Sequence, residues 1–442
     1  MDMPGSRRSF LKTSTLVAGG ALAFPYVTRG AEQKKLRTAI VGVGGRGGHA
    51  LNMAKNEEVA ALCDVDTGML DRAAAKFPNA KTYRDYREMY EKPEAFDAVI
   101  VSTPDHHHFL PTLLAIRAGK AVYCEKPLTW SMRESLQLMA EARKHKVATQ
   151  MGNQMMGGHG WRVAYDYVKS GAIGAIREVH TWTGTHAAWF TDGIRTPEGE
   201  DPVPDKLDWD LWLGPAPVRP YKRGAYHPAR WRGWIDFGNG ALGDWCCHLM
   251  NAYYKILEPG FPTSVECIDQ TGPAIDTYPK GKTVKWEFAA DGDRPAFNAY
   301  WYDGVNKPPR MPGLEEERQM GDAGSYLVGT KGVCWVVGSH NNSATLIPET
   351  LRKEIGKPPQ AAPKSRGHEK EFIMAAKGEI SCDAPLSNFG YGGKLTAVAL
   401  MANIAARVPG RLLYDAKAHR FTNSEEANRL MSRNPRAGWE AA

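Results

Sequence analysis

The most specific chemical pattern in this chain is a glycine loop between a strand and a helix, followed by a carboxylate. Residues 36–41, Leu-Arg-Thr-Ala-Ile-Val, run into Gly42-Val-Gly44-Gly45-Arg46-Gly47. Gly42 permits a tight turn, Gly44 keeps side chains away from a pyrophosphate, and Gly47 lets the next helix lie close on the strand. That helix, expected over about 48–55, turns free N–H groups and the positive end of its dipole towards phosphate oxygens. A second apolar strand, 59–63, ends at Asp64, 22 residues after Gly42. A carboxylate there accepts hydrogen bonds from both ribose hydroxyls of an adenosine and repels a 2′-phosphate, so the pattern favours NAD over NADP. Arg46, inside the loop, keeps NADP open as the lesser alternative. The cofactor contacts expected from this pattern are Gly42, Gly44, Gly45, Arg46, Gly47 and Asp64. An α/β domain that has lost its nucleotide is the competing reading; strand, loop, helix and acid together count against it.

The elements that position this loop follow in alternation. Residues 98–103 form a continuous apolar strand, as in a parallel sheet covered on both faces. Pro104-Asp105 ends it, with Asp105 placed to cap a helix over about 109–118. A further strand, 121–124, ends in Glu125-Lys126-Pro127, and a helix over 131–145 and a strand over 147–151 follow. Residues 36–151 therefore read as a doubly wound parallel α/β sheet. At 442 residues the chain is too long for one ordinary core, so a second domain is expected. A hydrophobic fraction of 43% with 24% charged residues excludes a disordered or collagen-like chain. No run reaches the roughly 18 apolar residues of a transmembrane helix. The net charge is +7, of which residues 1–31 supply three; the remainder is too small to point to nucleic acid or a membrane surface. Seven cysteines without a C-x-x-C spacing carry no zinc or disulfide framework.

Residues 1–31 stand apart. Ser6-Arg7-Arg8-Ser9-Phe10-Leu11-Lys12, followed by a soft Gly/Ala-rich apolar run, resembles the twin-arginine export signal. It implies a periplasmic or otherwise exported protein, folded and able to carry its cofactor before transport. A short basic arm of a cytoplasmic protein is the alternative.

The glycine loop, Asp64, Ser-Thr-Pro-Asp-His at 102–106, Ala-Gly-Lys at 118–120 and Glu125-Lys126-Pro127 together resemble the Gfo/Idh/MocA family, that of glucose–fructose oxidoreductase and inositol dehydrogenase. The resemblance implies a Rossmann domain over 32–155. It also implies a substrate-binding and oligomerisation α+β domain over 156–442, built on a large, open, mostly antiparallel sheet. Thr103, Pro104, His108, Glu125, Lys126 and Asn153 join the expected cofactor contacts on this basis. Gly238-Asn-Gly240-Ala-Leu-Gly243-Asp244-Trp-Cys-Cys-His248 is similar to the family's glycine-rich turn and Asp-x-x-x-His helix. Residues i and i+4 share a helix face, so Asp244 and His248 can address one pocket. The resemblance implies that Lys126, Asp244 and His248 act around a reacting carbinol.

Oxidising a sugar hydroxyl moves a hydride to the nicotinamide while a proton leaves the oxygen, and the protein must take that proton. His248 has a suitable pKa without perturbation. Lys126 needs its pKa lowered by burial and by the nicotinamide charge. His248 is taken as proton acceptor, Lys126 as the group that stabilises the alkoxide, and Asp244 as the orienting carboxylate; the reverse assignment, Lys126 as base, stays open. Asp244 and His248 as a plain surface pair, or as two metal ligands, are the other readings, and no third ligand is apparent. His106-His107-His108 looks like a metal tract but is read as packing on the cofactor side, so no metal is expected.

In the second domain, Asn153, Gln154, His159, Tyr226, Arg230 and Trp231 are expected to meet substrate together with Asp244 and His248, and His227 and Arg232 to add hydrogen bonds. Ordinary turn residues is the equal alternative for Asn153 and Gln154. Twelve of the thirteen Trp lie at or after position 161. Trp182, Trp189, Trp231 and Trp234 could stack on sugar rings, while most Trp packs in cores. Residues 349–366, rich in Lys and Pro, are expected to be a surface loop. The function expected is an NAD-dependent oxidoreductase acting on a small carbohydrate, a sugar, polyol or glycoside, as a homo-oligomer without nucleic-acid or membrane partners beyond the export machinery. The alternative is a redox-assisted glycosidase using the same NAD: oxidation at C3, elimination, water addition and re-reduction. A non-catalytic sugar- or NAD-binding protein is the third class.

Overall fold

The computed structural model describes residues 34–184 and 192–441; the twin-arginine-like stretch and Trp189 lie outside them. The first sheet has six strands: β1 (Arg37–Val41), β2 (Glu58–Cys63), β3 (Lys81–Tyr83), β4 (Ala98–Val101), β5 (Ala121–Glu125) and β6 (Thr149–Gly152), in the order β3-β2-β1-β4-β5-β6. Every neighbouring pair is parallel. All four residues of β4 are buried, as its unbroken apolar run requires when helices cover both faces. The order reverses between β1 and β4, and the crevice for a ligand opens at such a switch point.

The second sheet has nine strands: β7 (Ile176–Thr183), β8 (Ser264–Gln270), β9 (Gly281–Phe288), β10 (Phe297–Gly304), β11 (Ala323–Gly329), β12 (Val333–Val337), β13 (Ser343–Ile347), β14 (Leu412–Asp415) and β15 (Arg420–Phe421). Their order is β13-β12-β11-β7-β10-β9-β8-β14-β15; β10 runs parallel to β7 and the other pairs are antiparallel. Alternation sets the faces. Val284, Trp286 and Phe288 of β9 point into the core, while Lys285 and Glu287 pair on the outer face.

One apolar core joins the two sheets. Val99, Val122 and Met151 share a cluster with Val179, Trp286 and Trp301, and with the helix Phe389–Ala405. That helix is buried on nearly every side, and the Trp286 indole donates to Val398 O at 3.1 Å. The helix His368–Ala376 covers the other face of the first sheet: Phe372 and Ala375 pack with Ile40, Leu62, Ile100 and Tyr123. Later chain thus returns to complete the earlier domain.

Two local expectations change. Residues 349–355 form a helix, Glu349–Ile355, rather than a loop. Glu349 in its first turn and Arg352 and Lys353 in its last complement the dipole, and Leu351 packs on the core. The turn carrying Asp244, Leu242–Cys246, is a π-helix that passes into the α-helical turn Cys247–Leu249. Such π turns insert one residue per turn and concentrate at functional sites.

Candidate active site

A cleft of about 440 Å³ opens at the switch point, within the size range of small-molecule sites. One wall is made of the carboxyl ends of β1, β2, β4 and β5. The other comes from the chain that follows the first sheet, through Trp212, the stretch 227–232 and Asp244.

The glycine loop has the shape that a dinucleotide needs. Gly42 has φ +84°, and a Cβ there would lie 2.8 Å from the backbone of Ser102. A Cβ on Gly47 would lie 2.2 Å from Gly42 O, so only glycine lets the helix Gly47–Ala54 start this close to β1. Asp64 holds the loop in place. Its Oδ2 accepts from Val43 N at 2.9 Å and Gly44 N at 3.2 Å, and its Oδ1 from Asp66 N at 3.0 Å. Burial raises the carboxyl and these three N–H groups pull it back. With Oδ2 doubly bonded, Oδ1 keeps one lone pair, which suits one ribose hydroxyl rather than two. The Ser102 and Thr103 hydroxyls on the cleft wall are buried without a protein partner. The cradle and these orphaned hydroxyls fit a dinucleotide.

Arg46 leaves the loop towards β5, where its Nε donates to Glu125 Oε1 at 2.9 Å. Gln154 also donates to Glu125, at 3.3 Å, and to the Tyr123 hydroxyl, at 2.7 Å.

At the far end of the cleft, Lys126 Nζ donates to Asp244 Oδ1, and Arg232 Nε lies 3.7 Å from the same oxygen. Burial alone would raise the Asp244 carboxyl, but Lys126 and Arg232 outweigh it and hold it at about 2. Asp105 stands beside this cluster. Its Oδ2 accepts from Asn239 N at 3.1 Å and Nδ2 at 3.2 Å, and Asn403 in turn donates to Asn239 O at 3.0 Å. Burial pushes Asp105 up to about 7 against the pull of Lys126 and Arg232.

Two models of the same family match this chain. Residues 36–153 match the oxidoreductase family's NAD-binding Rossmann fold, and residues 164–293 its C-terminal alpha/beta domain. Together they span more than half of the chain. The chain belongs to the Gfo/Idh/MocA family of oxidoreductases. Among curated relatives, it is 30% identical over 151 residues to inositol 2-dehydrogenase of Salmonella typhimurium, covering 33% of this chain and 45% of that protein. It is 35% identical over 132 residues to a glycosyl hydrolase family 109 protein of Stenotrophomonas maltophilia, covering 27% of this chain and 29% of that one. The matched stretches thus span less than half the length of these relatives. Among solved structures, the WlbA dehydrogenase of Bordetella pertussis, in complex with NADH and UDP-GlcNAcA, has a TM-score of 0.59 at 16% identity over 86% of this chain and 99% of that one. That likeness is one of fold.

Of the residues expected at this Gfo/Idh/MocA site, Gly42, Gly44, Gly45, Arg46, Asp64, Thr103, Pro104, His108, Glu125, Lys126, Trp231 and Asp244 line the cleft. Gly47 acts from beneath the loop. Asn153 and His248 sit deeper. His248 Nδ1 donates to Asn153 Oδ1 at 3.1 Å, and Asn153 Nδ2 donates to Asn251 Oδ1 at 2.9 Å. Burial, with Lys126 adding to it, puts His248 well below the ordinary imidazole range, so its pKa is not the unperturbed one expected. His159 is exposed at the start of the helix Gly160–Lys169, and Arg230 is exposed on a short turn. Tyr226 is buried among Trp209, Trp234 and Phe237, away from the cleft. Trp182 packs on the second sheet with Tyr326, and Trp234 with Tyr226. Among the described residues, Trp212 and Trp231 are the tryptophans at the cleft.

Asp105 was expected only to cap a helix; its side chain instead binds the Gly238–Gly240 turn. The His tract packs against the cofactor wall. His108 has carbonyl oxygens against both ring nitrogens, Pro127 O at 2.7 Å and Thr103 O at 2.9 Å. Burial holds it at about 4, so the neutral ring donates to one of them at a time and ties the Thr103 loop to the Lys126 loop.

Proposed function

We propose that this chain is an NAD-dependent oxidoreductase that transfers a hydride between the nicotinamide ring and the carbinol of a sugar, polyol or glycoside. The Lys126–Asp244 ion pair, on the cleft wall at the end of β5 and across from the glycine loop, carries this reading. A bound nicotinamide dinucleotide supplies the hydride acceptor. Lys126, ion-paired with Asp244, donates a hydrogen bond to the carbinol oxygen and stabilises negative charge developing there. Asp244, ionised throughout the working pH range, fixes the Lys126 rotamer. His248 is neutral, and its Nδ1–H is spent on Asn153, which leaves Nε2 as the acceptor for the departing proton. Arg46 turned towards Glu125 and the carboxylate of Asp64 both support NAD over NADP.

The second reading, redox-assisted glycoside hydrolysis with the same NAD, is favoured by the likeness to the family 109 glycosyl hydrolase protein. Export as a homo-oligomer belongs to this proposal with either reading; the twin-arginine-like residues 6–12 support the export. Purified protein incubated with aryl glycosides and free sugars, with and without added NAD, separates them. A keto-sugar with stoichiometric NADH selects the dehydrogenase; aglycone release without net NADH selects the hydrolase. In either case Lys126→Ala is expected to abolish turnover and leave NAD bound, and near-normal turnover by that variant would overturn the assignment.

A further inference from the structure

Behind the cleft, side chains from three further elements decide which nitrogen of His248 carries the proton. Asn153, at the end of β6, donates from Nδ2 to Asn251 Oδ1 at 2.9 Å. Its Oδ1, 3.1 Å from His248 Nδ1, is thereby committed to face the ring as an acceptor, so Nδ1 is the N–H nitrogen. Asn251 opens the helix Asn251–Leu257 and is fully buried. Its Oδ1 accepts a second bond at 2.9 Å, from the hydroxyl of Tyr391 near the start of the helix Phe389–Ala405.

The three side chains fix one another's orientation. Reversing Asn251 alone sets N–H against N–H at its contact with Asn153; reversing Asn153 alone sets oxygen against oxygen. Reversing both leaves the Tyr391 hydroxyl only the Asn251 carbonyl, 3.4 Å away, to donate to. Asn251 keeps its orientation although its Nδ2 is buried without a partner among the described residues, so the two donors on its oxygen outweigh that loss.

We propose that Tyr391, Asn251 and Asn153 are positioning residues that hold His248 in the tautomer whose Nε2 can take the carbinol proton, a role that rests on the oxidoreductase reading of the cleft. As the carbinol O–H bond breaks and the Nε2–H bond forms, the ring gains N–H on both nitrogens. Its Nδ1–H stays on Asn153 throughout, so no amide has to turn during the step. In the reverse direction the same Nε2 returns the proton. An amide at 153 also gives the charged ring a weaker partner than a carboxylate would. The charges facing His248 are Lys126 from the end of β5, Asp244 from the π turn, Arg46 from the glycine loop, and His340 when protonated; of these only Asp244 favours the charged ring.

The test follows the full-length chain, labelled with 15N-histidine, through a pH titration by NMR; the His248 signal is the one lost in His248→Gln. The parent is expected to show a single Nδ1–H tautomer, neutral down to pH 5. Tyr391→Phe should show both tautomers, with kcat lower by about fivefold, the worth of one neutral hydrogen bond, and KM unchanged. Asn153→Asp should keep the Nδ1–H tautomer and protonate roughly one to three pH units higher than the parent. An Nε2–H tautomer in the parent, a Tyr391→Phe spectrum like the parent's whatever its activity, or an Asn153→Asp ring that titrates like the parent's overturns the proposal. The expected spectra without turnover of any sugar or glycoside uphold the positioning chain and defeat the oxidoreductase reading instead.

Discussion

At the cleft, burial raises the Asp105 carboxyl while Lys126 and Arg232 pull it down, and burial wins, leaving it at about 7. In the unfolded chain the same group titrates near 3.8. Between these values the folded state holds a proton that the unfolded state has lost, so this residue's contribution to stability falls as pH rises from about 4 to 7. Above pH 7 the ionised form costs up to about 4 kcal/mol. Asp105→Asn keeps an acceptor for both Asn239 donors and removes that penalty. Thermal midpoints should show the variant close to the parent at about pH 4 and increasingly above it up to pH 8; a constant difference across that range would sink the argument. Lys126 and Asp244 were legible in the sequence because each sits beside a punctuating pattern, Glu-Lys-Pro and the glycine-rich turn. Asp105 was expected only to cap a helix, because nothing local marks a loop residue whose partner, Asn239, lies more than a hundred positions away; Arg232 was expected to hydrogen-bond substrate, and its ion pair with Asp244 was not foreseen. Asn153 illustrates the converse: its place at the end of β6 suggested contact with ligand, yet its amide is consumed by His248 and Asn251.

Among the elements, the glycine loop and the helix behind it depend on one close approach. Gly47→Ala sets a methyl group 2.2 Å from Gly42 O, against backbone that cannot rotate away. The helix start must shift, at a cost of roughly 1–3 kcal/mol. Because the shift falls on the N–H groups that face phosphate, roughly ten- to a hundredfold of dinucleotide affinity should go with it, read by titration of NADH fluorescence. Unchanged affinity would mean that the loop does not hold the pyrophosphate. Five strands of the first sheet were legible as short apolar runs between turn residues, whereas β3, Lys-Thr-Tyr at 81–83, is polar and largely exposed and carries no such signal; alternation along 283–288 is the corresponding mark of the second sheet. The loop-rich stretch between β7 and β8 has no period to read, so Tyr226 and Arg230 looked as fit for the cleft as Trp231. Only packing on Phe237, or its lack, separates them. The helix Glu349–Ile355 was hidden by the prolines that follow it, although its charges already ran in the order that a helix dipole favours.

For the whole molecule, the return of late chain onto early chain decides how independent the nucleotide-binding half is. The apolar face made by Ile40, Leu62, Ile100 and Tyr123 is closed by Phe372 and Ala375. The opposite face shares its core with Leu395, Val398 and Met401. Leu395, Val398, Ala399, Met401 and Ala402 stand at helical spacing, but no local signal says which sheet a helix will cover. A fragment of residues 34–155 keeps every strand of the first sheet and loses both covers. Exposing a fully buried residue of the Leu or Phe class forfeits about 1.5–3 kcal/mol, and several are exposed at once, against a typical domain stability of about 5–15 kcal/mol. The fragment is therefore expected to lack a cooperative thermal transition by circular dichroism and to associate at micromolar concentration, whereas the chain from residue 34 to 442 should unfold cooperatively. A fragment that melts sharply as a monomer and still binds NADH would show that the returning helices serve assembly rather than the stability of the nucleotide fold. Coupling of this kind suits the proposed export in a folded, loaded form, because the cleft is complete only once the last helices are in place. If Arg7→Lys with Arg8→Lys leaves the extracytoplasmic pool unchanged, that part of the argument falls while the folding argument stands.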